Sequence, residues 1–157
     1  MESLARWRTP WGTVEAASNG RALTRLVFTE EHPNQVPLDD VLSQVQAQLD
    51  AYANGTLRAF EVPLASQGTD FQQRVWQAVS TIPFGQTQTY AQVAASLGDP
   101  NASRAVGLVN GKNPILLVVP CHRVVGADGS LTGYAGGLER KRNLLIHEQK
   151  LAGHVLF

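Results

Sequence analysis

Residues 89–111 read TYAQVAASLGDPNASRAVGLVNG, and this stretch decides the fold of the second half of the chain. Thr89 and Gln92 have the spacing of a capping box, in which two side chains satisfy the first backbone N–H groups of a helix. Residues 98–100, Gly-Asp-Pro, then force a sharp turn, after which Asn101 can cap a second short helix. Two short helices joined by a tight, glycine-containing turn predict a helix-turn-helix.

The sequence around this unit predicts further helices and one buried strand. Thr69 and Gln72 repeat the capping-box spacing at the start of an amphipathic stretch. The apolar run 115–119 predicts a strand, and residues 138–148 predict a final helix. We therefore expect a mostly helical, winged-helix-like domain that contains the helix-turn-helix and extends over residues 66–157.

The first 65 residues predict a small antiparallel sheet followed by a helix. Asn19-Gly20 separates two stretches with strand character, and this dipeptide favours a tight hairpin turn. Apolar residues then recur at helical spacing from Leu38 to Tyr52, and Gly55 is well placed to end that helix. Residues 61–64 are expected to return as an edge strand. The predicted fold class is α+β, with domains at 1–65 and 66–157.

Composition and charge restrict the possible functions without choosing one. The chain has 157 residues, of which 43% are hydrophobic and 17% charged, as in an ordinary globular protein. No apolar run approaches the length of a membrane span, and the first residues lack a signal-peptide core, so we expect a cytoplasmic protein without a membrane partner. Residues 1–65 carry 5 basic and 8 acidic side chains, whereas residues 66–157 carry 8 basic and 5 acidic ones. The second half is therefore the better candidate for binding an anion.

The chain contains a single cysteine, Cys121, which follows the apolar run directly. One thiol cannot close an intramolecular disulfide or build a multi-cysteine metal site, so it is either a reactive group or a buried inert one. A neighbouring imidazole could accept the thiol proton, and a carboxylate could orient that imidazole. His122 is adjacent, but successive strand side chains point to opposite faces, so it must act through a turn or a water. Glu148 is the candidate orienting carboxylate.

The second helix of the helix-turn-helix predicts a contact with DNA. Arg104 lies in its first turn, and Ser103 with the backbone N–H groups at the helix start could hold phosphates. Ala102 and Ala105 keep the helix slender enough to approach a groove. A DNA-docking helix 17 residues before a candidate thiol suggests group transfer from a base, which must leave the stack to be reached.

Several motifs resemble one family, the O6-alkylguanine-DNA alkyltransferases. The segment 120–124, Pro-Cys-His-Arg-Val, is similar to the active-site signature of these suicidal methyltransferases. Other motifs in family order and spacing are FQQRVW at 71–76, IPFG at 82–85, YAQ at 90–92, RAVG at 104–107, NP at 113–114 and GYAGG at 133–137. The hairpin at 9–12, TPWG, resembles the family's first domain, so the resemblance covers essentially the whole chain.

The resemblance implies a role for each catalytic residue. Cys121 would attack the alkyl carbon on O6 of guanine, or on O4 of thymine, and keep the group as a thioether. His122 would take the thiol proton through a water, and Glu148 would polarise His122. Tyr90 would help to rotate the nucleotide and direct its hydroxyl to N3 of the purine. Asn113 would fix the turn between the recognition helix and the nucleophile.

The resemblance also implies which residues meet the DNA. Arg104 would fill the place of the flipped base, with Ala102, Ser103 and Arg123 as further DNA-binding residues. The carbonyls of Cys121 and Val124 would read the exocyclic amine. The loop formed by Tyr134, Ala135 and Gly136 would close over the base. The expected partner is double-stranded DNA containing O6-alkylguanine, bound by a monomer that needs no cofactor.

Two departures from the family pattern stand out in this chain. The cysteines of the family's regulatory domain and of its N-terminal zinc site are absent, so we predict no metal. Asn110 is polar at a recognition-helix position where related proteins often carry a more apolar residue.

Three other functions compete with alkyl transfer. A lesion-recognition protein would bind alkylated bases without repairing them, but relatives of that kind lack the cysteine. A cysteine hydrolase would need a better placed histidine, because adjacent Cys and His side chains make a poor dyad. A helix-turn-helix regulator would need a dimer helix, and none is evident.

Overall fold

The structure, a computed structural model, describes residues 2–153, which form two compact units. The first comprises residues 2–67 together with Pro114–Val118, and the second comprises Gly68–Asn113 together with residues 119–153. The predicted α+β class is confirmed. The expected domains, 1–65 and 66–157, differ from these units chiefly at 114–118, and their outermost residues, 1 and 154–157, lie outside the described residues.

The first unit is built on a three-stranded antiparallel sheet. Its strands are β1 (Ser3–Thr9), β2 (Gly12–Ser18) and β3 (Leu23–Phe28), paired in sequence order. The predicted pairing across Asn19-Gly20 is confirmed, although the loop spans residues 19–22. The Asn19 side chain accepts hydrogen bonds from the backbone N–H groups of residues 21 and 22, and Gly20 adopts a φ of +90°. This Asx-type turn replaces a two-residue hairpin because Asn19 stabilises the longer loop.

Helix α1 (Asp40–Asn54) follows the sheet and buries one face. It begins two residues later than the apolar spacing predicted, because the Asp39 side chain caps it by accepting a hydrogen bond from Leu42 N. Gly55 ends the helix with a φ of 88°, as predicted. Five residues form its buried face: Val41, Leu42, Val45, Leu49 and Tyr52.

Two predicted strands are wrong. In the run 115–119, only Ile115 forms an isolated bridge, with Leu26, and the following residues turn. Leu117 has a φ of 71°, in the left-handed region, which is incompatible with an extended strand. The expected edge strand at 61–64 is likewise reduced to a single bridge between Leu64 and Leu23.

The second unit is mostly helical, as predicted. It contains α2 (Asp70–Val79), β4 (Gln88–Thr89), α3 (Tyr90–Ser96), α4 (Ser103–Asn110), a 3-10 turn at Cys121–Arg123, β5 (Val124–Val125) and α5 (Leu138–Leu151). Strands β4 and β5 pair in parallel. Among residues 2–153, no helix has both the length and the hydropathy needed to cross a membrane.

The helix starts in this unit show where local sequence signals were sufficient. Both predicted capping boxes are confirmed, with Thr69 and Thr89 accepting from the third helical residue and the paired glutamine reaching back. Helices α3 and α4 are connected by residues 97–102, as the predicted helix-turn-helix requires. The prediction that Asn101 caps α4 is wrong, because Ala102 occupies the cap position and no side chain bonds to the helix start there.

Candidate active site

Cys121 lies at the first position of the 3-10 turn and is fully buried. The expected strand end is therefore a tight turn, in which the Cys121 N–H donates to Val119 O at 2.8 Å. Asn113, just after α4, donates from Nδ2 to the same carbonyl at 2.9 Å. The structure thus ties Asn113 to the backbone two residues before Cys121.

The environment of Cys121 keeps its thiol protonated in the absence of DNA. Burial raises the pKa of the Cys121 thiol to about 11, against the opposing effects of a hydrogen bond from Asn113 and the charge of Lys141. Neighbouring cations lower the pKa of a thiol, but here desolvation outweighs them. Attack by this sulfur therefore requires a base that removes the proton.

His122 has one ring nitrogen engaged and the other available. Its Nε2 lies 2.7 Å from Glu148 Oε2, and both side chains are fully buried. Among the described residues, no group lies within hydrogen-bond distance of Nδ1. Burial lowers the pKa of His122, although the charge of Glu148 opposes that shift. A neutral imidazole that donates from Nε2 to the carboxylate leaves Nδ1 as a proton acceptor.

Arg123 is the principal partner of Glu148. Its Nε donates to Oε1 at 2.8 Å and its Nη2 donates to Oε2 at 3.0 Å, while Nη1 donates to Ile82 O at 2.7 Å. Burial alone would raise the pKa of Glu148, but its interactions with His122 and Arg123 lower it well below its usual range. The backbone N–H of Gly85 adds a contact at 3.3 Å. Glu148 is therefore a fixed carboxylate.

The position of Arg123 differs from the expectation that it contacts DNA. Only 6% of its surface is exposed, and its guanidinium is committed to Glu148 and to the carbonyl of Ile82. The motif resemblance did not reveal this burial, because the orientation of Arg123 depends on where α5 packs. In this structure Arg123 supports the carboxylate that holds His122.

Lys141 is a buried cation that the sequence analysis missed. Its Nζ donates to Val124 O and to Thr132 O, both at 2.6 Å, and burial lowers its pKa to about 8. Lys141 lies in a run of basic residues, 140–142, and such a run is typical of a solvated helix face. Helical spacing contained the contrary signal, since Lys141 shares a face with the buried residues Leu144, Leu145 and Glu148.

Two tyrosines close the site above the 3-10 turn. The Tyr90 hydroxyl donates to Thr132 O at 2.9 Å, and the Thr132 hydroxyl donates back to it at 3.1 Å. Tyr134 is buried, with its ring perpendicular to that of His122 at a centroid distance of 6.4 Å. Gly133 and Gly137 flank the predicted loop with φ values of 51° and 93°. Within that loop Ala135 is exposed, Gly136 is buried, and Val124 below it is buried.

The start of α4 presents the residues expected to meet DNA. Arg104 and Ala105 are exposed there, and Ala102 and Ser103 are half-buried. At the other end of α4, Asn110 is fully buried and donates from Nδ2 to Cys121 O at 3.1 Å. Nothing in the sequence indicated this contact with the backbone carbonyl of Cys121.

The described residues contain no group of three or more His, Cys, Asp or Glu side chains placed to hold a metal ion. The site described above consists of a thiol, an imidazole, a carboxylate, two buried cations and two tyrosines. This arrangement can deprotonate the thiol and supply hydrogen bonds to a purine.

Comparison with known proteins identifies the family. Residues 5–66 match the model of the 6-O-methylguanine DNA methyltransferase ribonuclease-like domain, and residues 70–150 match that of the DNA binding domain of the same family. A methylated-DNA–protein-cysteine methyltransferase of Mycobacterium tuberculosis H37Rv is 48% identical over 149 residues, covering 92% of this chain and 90% of the relative. A protein of the same name from Mycolicibacterium paratuberculosis is 55% identical over 147 residues, which cover 90% of this chain and 89% of that relative.

Solved structures agree with the sequence relatives. The crystal structure of Mycobacterium tuberculosis O6-methylguanine methyltransferase has a TM-score of 0.87 and 46% identity, covering 96% of this chain and 94% of that one. A structure of Mycobacterium tuberculosis OGT in complex with DNA has a TM-score of 0.86 and 47% identity, covering 94% and 93%. Both domains, the fold and the similarity over nine-tenths of the chain lead to one assignment: this chain belongs to the 6-O-methylguanine DNA methyltransferase family.

Proposed function

We propose that this protein repairs DNA by direct reversal, moving a methyl or other alkyl group from O6 of guanine to Cys121 once per molecule. The observation that carries the proposal is the position of His122 beside Cys121 in a chain of this family. One nitrogen of its ring is fixed by Glu148 at 2.7 Å and the other is available to accept a proton. A buried thiol with a raised pKa needs such a base.

The proposed reaction is a displacement at the alkyl carbon. The proton of the Cys121 thiol passes through one water to Nδ1 of His122, and the sulfur attacks the carbon on O6. The carbon–oxygen bond breaks, its electron pair passes to the purine, and Tyr90 donates a proton to N3 so that guanine leaves neutral. The proton gained by His122 balances the one lost by Tyr90, and exchange with solvent restores both. The thioether on Cys121 remains.

The buried ion pair supports the base in this scheme. Glu148 fixes the tautomer of His122 and stabilises the imidazolium that forms during attack. Arg123 keeps the carboxylate ionised and oriented through two hydrogen bonds. Asn113 holds the backbone that precedes the nucleophile. These three residues act through His122 or through the backbone and are positioning residues.

Access to Cys121 requires the target base to leave the helix and the loop above the thiol to move. Arg104 is exposed at the start of α4 and would occupy the place that the base vacates. Ala102 and Ser103, half-buried beside it, would face the backbone of the DNA. Tyr134, Ala135 and Gly136 would close over the base once it has entered. The carbonyls of Cys121 and Val124 are the proposed acceptors for its exocyclic amine.

The roles of the two domains and the cellular location of the protein follow from the same chemistry. Every residue given a role here lies within 66–157, which we propose as the DNA-binding and alkyl-transfer domain, with residues 1–65 as a separate N-terminal domain. The reaction needs a reduced thiol, which a reducing compartment maintains, so we infer a cytoplasmic location. We also infer that one monomer acts on one lesion, since a single Cys121 is consumed.

Intact-mass analysis tests this proposal. The protein is incubated with a duplex that carries one O6-methylguanine, and the wild-type chain is expected to gain one methyl group, located on the peptide containing Cys121. The Cys121→Ala variant should gain none while still binding the duplex. Repeated turnover by one molecule, or methyl transfer by Cys121→Ala, would refute the proposal. Tight binding without any transfer would instead indicate a lesion-recognition protein.

A further inference from the structure

The Asn110 amide is a buried polar group in which one of the two polar atoms, Oδ1, has no hydrogen-bond partner among the described residues. The residue is the last of α4 and none of its surface is exposed. Its Nδ2 donates to Cys121 O at 3.1 Å. Among the described residues, no donor lies within hydrogen-bond distance of its Oδ1.

The orientation of this amide follows from its neighbour. A backbone carbonyl can only accept, so the NH₂ group of Asn110 must face Cys121 O, and the amide oxygen must point to the other side. Reversing the amide would set two oxygens against each other and would gain nothing for the nitrogen. Oδ1 is therefore an acceptor held next to the backbone of the nucleophile.

An unpaired acceptor in this position costs folding free energy. Buried polar atoms are nearly always hydrogen-bonded, and each exception in a native structure requires a reason. An apolar residue of similar size, such as leucine, would avoid the cost. The amide lies at the nucleophile, so the candidate donor is a group that enters with the substrate.

The chemistry of the two candidate substrates identifies that donor. O6-methylguanine carries acceptors at N1 and N3, and its 2-amino group is the one donor on the edge that enters the pocket. O4-methylthymine has no N–H at all in DNA, because alkylation removes the proton from N3 and N1 bears the sugar. A buried acceptor beside Cys121 would therefore be paired by the alkylated guanine and left unpaired by the alkylated thymine.

We propose that Asn110 accepts a hydrogen bond at Oδ1 from the 2-amino group of the flipped guanine and so selects O6-alkylguanine over O4-alkylthymine. This inference rests on the proposed alkyl transfer. The 2-amino group has two protons, of which one can bind the backbone carbonyls proposed above, Cys121 O and Val124 O, and the other can bind Oδ1. Asn110 would then donate a hydrogen bond to Cys121 O through Nδ2 and accept one from the guanine through Oδ1. A site built to bind an N–H group discriminates strongly against a substrate that lacks it.

The experiment removes the two partners of the proposed hydrogen bond separately: the Asn110 amide by substitution and the 2-amino group by a change of the base. Second-order rate constants for methylation of Cys121 are measured for wild type and Asn110→Leu, each with a duplex containing O6-methylguanine or O6-methylhypoxanthine, which lacks the 2-amino group. Wild type should react about tenfold or more faster with the guanine lesion, the scale expected for a lost buried hydrogen bond. Asn110→Leu should treat the two purines within about twofold of each other, and its preference for O6-methylguanine over O4-methylthymine should fall by the same factor.

Controls separate a substrate contact from a structural one. Asn143→Leu makes the same substitution at an exposed position of α5 and should retain the wild-type ratio. Asn110→Ala removes the same acceptor without added bulk, and it replaces the leucine variant if that chain does not fold. Equal slowing of both purines by the Asn110 variants, or no slowing of either, would overturn the inference while leaving alkyl transfer intact. Failure of wild type to methylate Cys121 with either purine would overturn both proposals.

Discussion

Arg123 and Glu148, 25 residues apart in sequence, form a buried pair in which Nε and Nη2 of the guanidinium bind the two carboxylate oxygens at 2.8 and 3.0 Å. The pair joins the 3-10 turn that carries Cys121 to the last turns of α5. His122 binds the same carboxylate, so one anion satisfies two neighbours of the nucleophile. The stability of the unit and the orientation of its base thus depend on a single side chain.

Replacing Glu148 with glutamine should therefore destabilise the protein strongly. The change leaves Arg123 as a buried charge without its anion, at a cost of about 3–5 kcal/mol. Denaturant unfolding measures the loss, and methyl transfer should slow as His122 loses its orienting partner. Glu139→Gln, in the exposed first turn of α5, is the matched control and should remain within about 0.5 kcal/mol of wild type. Equal midpoints for the two variants would contradict this account.

The same pair should control the response to acid. The folded pKa of Glu148 lies below its value in the unfolded chain, about 4.3, so its contribution to stability is present above that pH and is lost as the pH falls. We expect the stability difference between wild type and Glu148→Gln to be constant between pH 6 and 7 and to shrink below about pH 4.3. Unfolding curves at several pH values measure it. A difference that grows in acid would show that another group carries the effect.

Lys141 should matter far more than its neighbour Arg142. Lys141→Met removes two charge-assisted hydrogen bonds, to Val124 O and Thr132 O, and should cost about 1.5–3 kcal/mol. Arg142→Met, at an exposed position one residue away, should be nearly neutral. The folded pKa of Lys141, about 8, lies below that of an unfolded lysine, so wild type should gain stability relative to Lys141→Met between pH 8 and 10. Equal stability of the two methionine variants would contradict the buried role.

The thiol should react slowly with a small electrophile in the absence of DNA. With a pKa of about 11, its rate of alkylation by iodoacetamide should rise about tenfold per pH unit from pH 7 to 10. The protein unfolded in urea is the control, because an ordinary cysteine with a pKa of about 8.5 should approach a plateau above pH 9. A plateau near pH 8 in the folded protein would mean that its cations outweigh burial. The remaining thiol is measured by intact mass.

The Tyr90 hydroxyl should contribute to the rate of transfer rather than to the fold. Tyr90→Phe should slow methylation of Cys121 by about 10²-fold or more, the scale of a lost general acid, with little change in the unfolding midpoint. Thr132→Val removes the hydroxyl that donates to Tyr90 but keeps the carbonyl that accepts from it, so its effect should be smaller. A single-turnover time course measures both variants. Equal rates for Tyr90→Phe and wild type would remove Tyr90 from the proposed chemistry.

Local signals predicted the parts of this fold that local interactions determine. The capping boxes at Thr69 and Thr89 were found because each depends on two side chains three residues apart. The strand expected at 115–119 was wrong because apolar composition does not reveal a backbone turn such as that at Leu117. The hydrophobicity of residues 115–119 indicated that the run is buried, but it did not indicate the conformation of the backbone.

The sequence named the candidate residues of the site, but it could not predict the contacts between them. Motif resemblance pointed to His122 and Glu148, whose 2.7 Å contact depends on how α5 packs against the 3-10 turn. The same packing turns Arg123 inward and buries Lys141, and neither result follows from neighbouring residues alone. Asn110 was noticed as an unusual polar residue, but its contact with Cys121 O appears only when α4 and the turn are placed together.

The complete burial of Cys121 has a consequence for a molecule that can react only once. At pH 7 a thiol with a pKa of about 11 is ionised in about one molecule in ten thousand. Stray electrophiles in the surrounding solution therefore meet almost no thiolate, and the burial of the sulfur slows their approach further. The folded chain therefore keeps its single nucleophilic sulfur unreacted until an alkylated base enters the site.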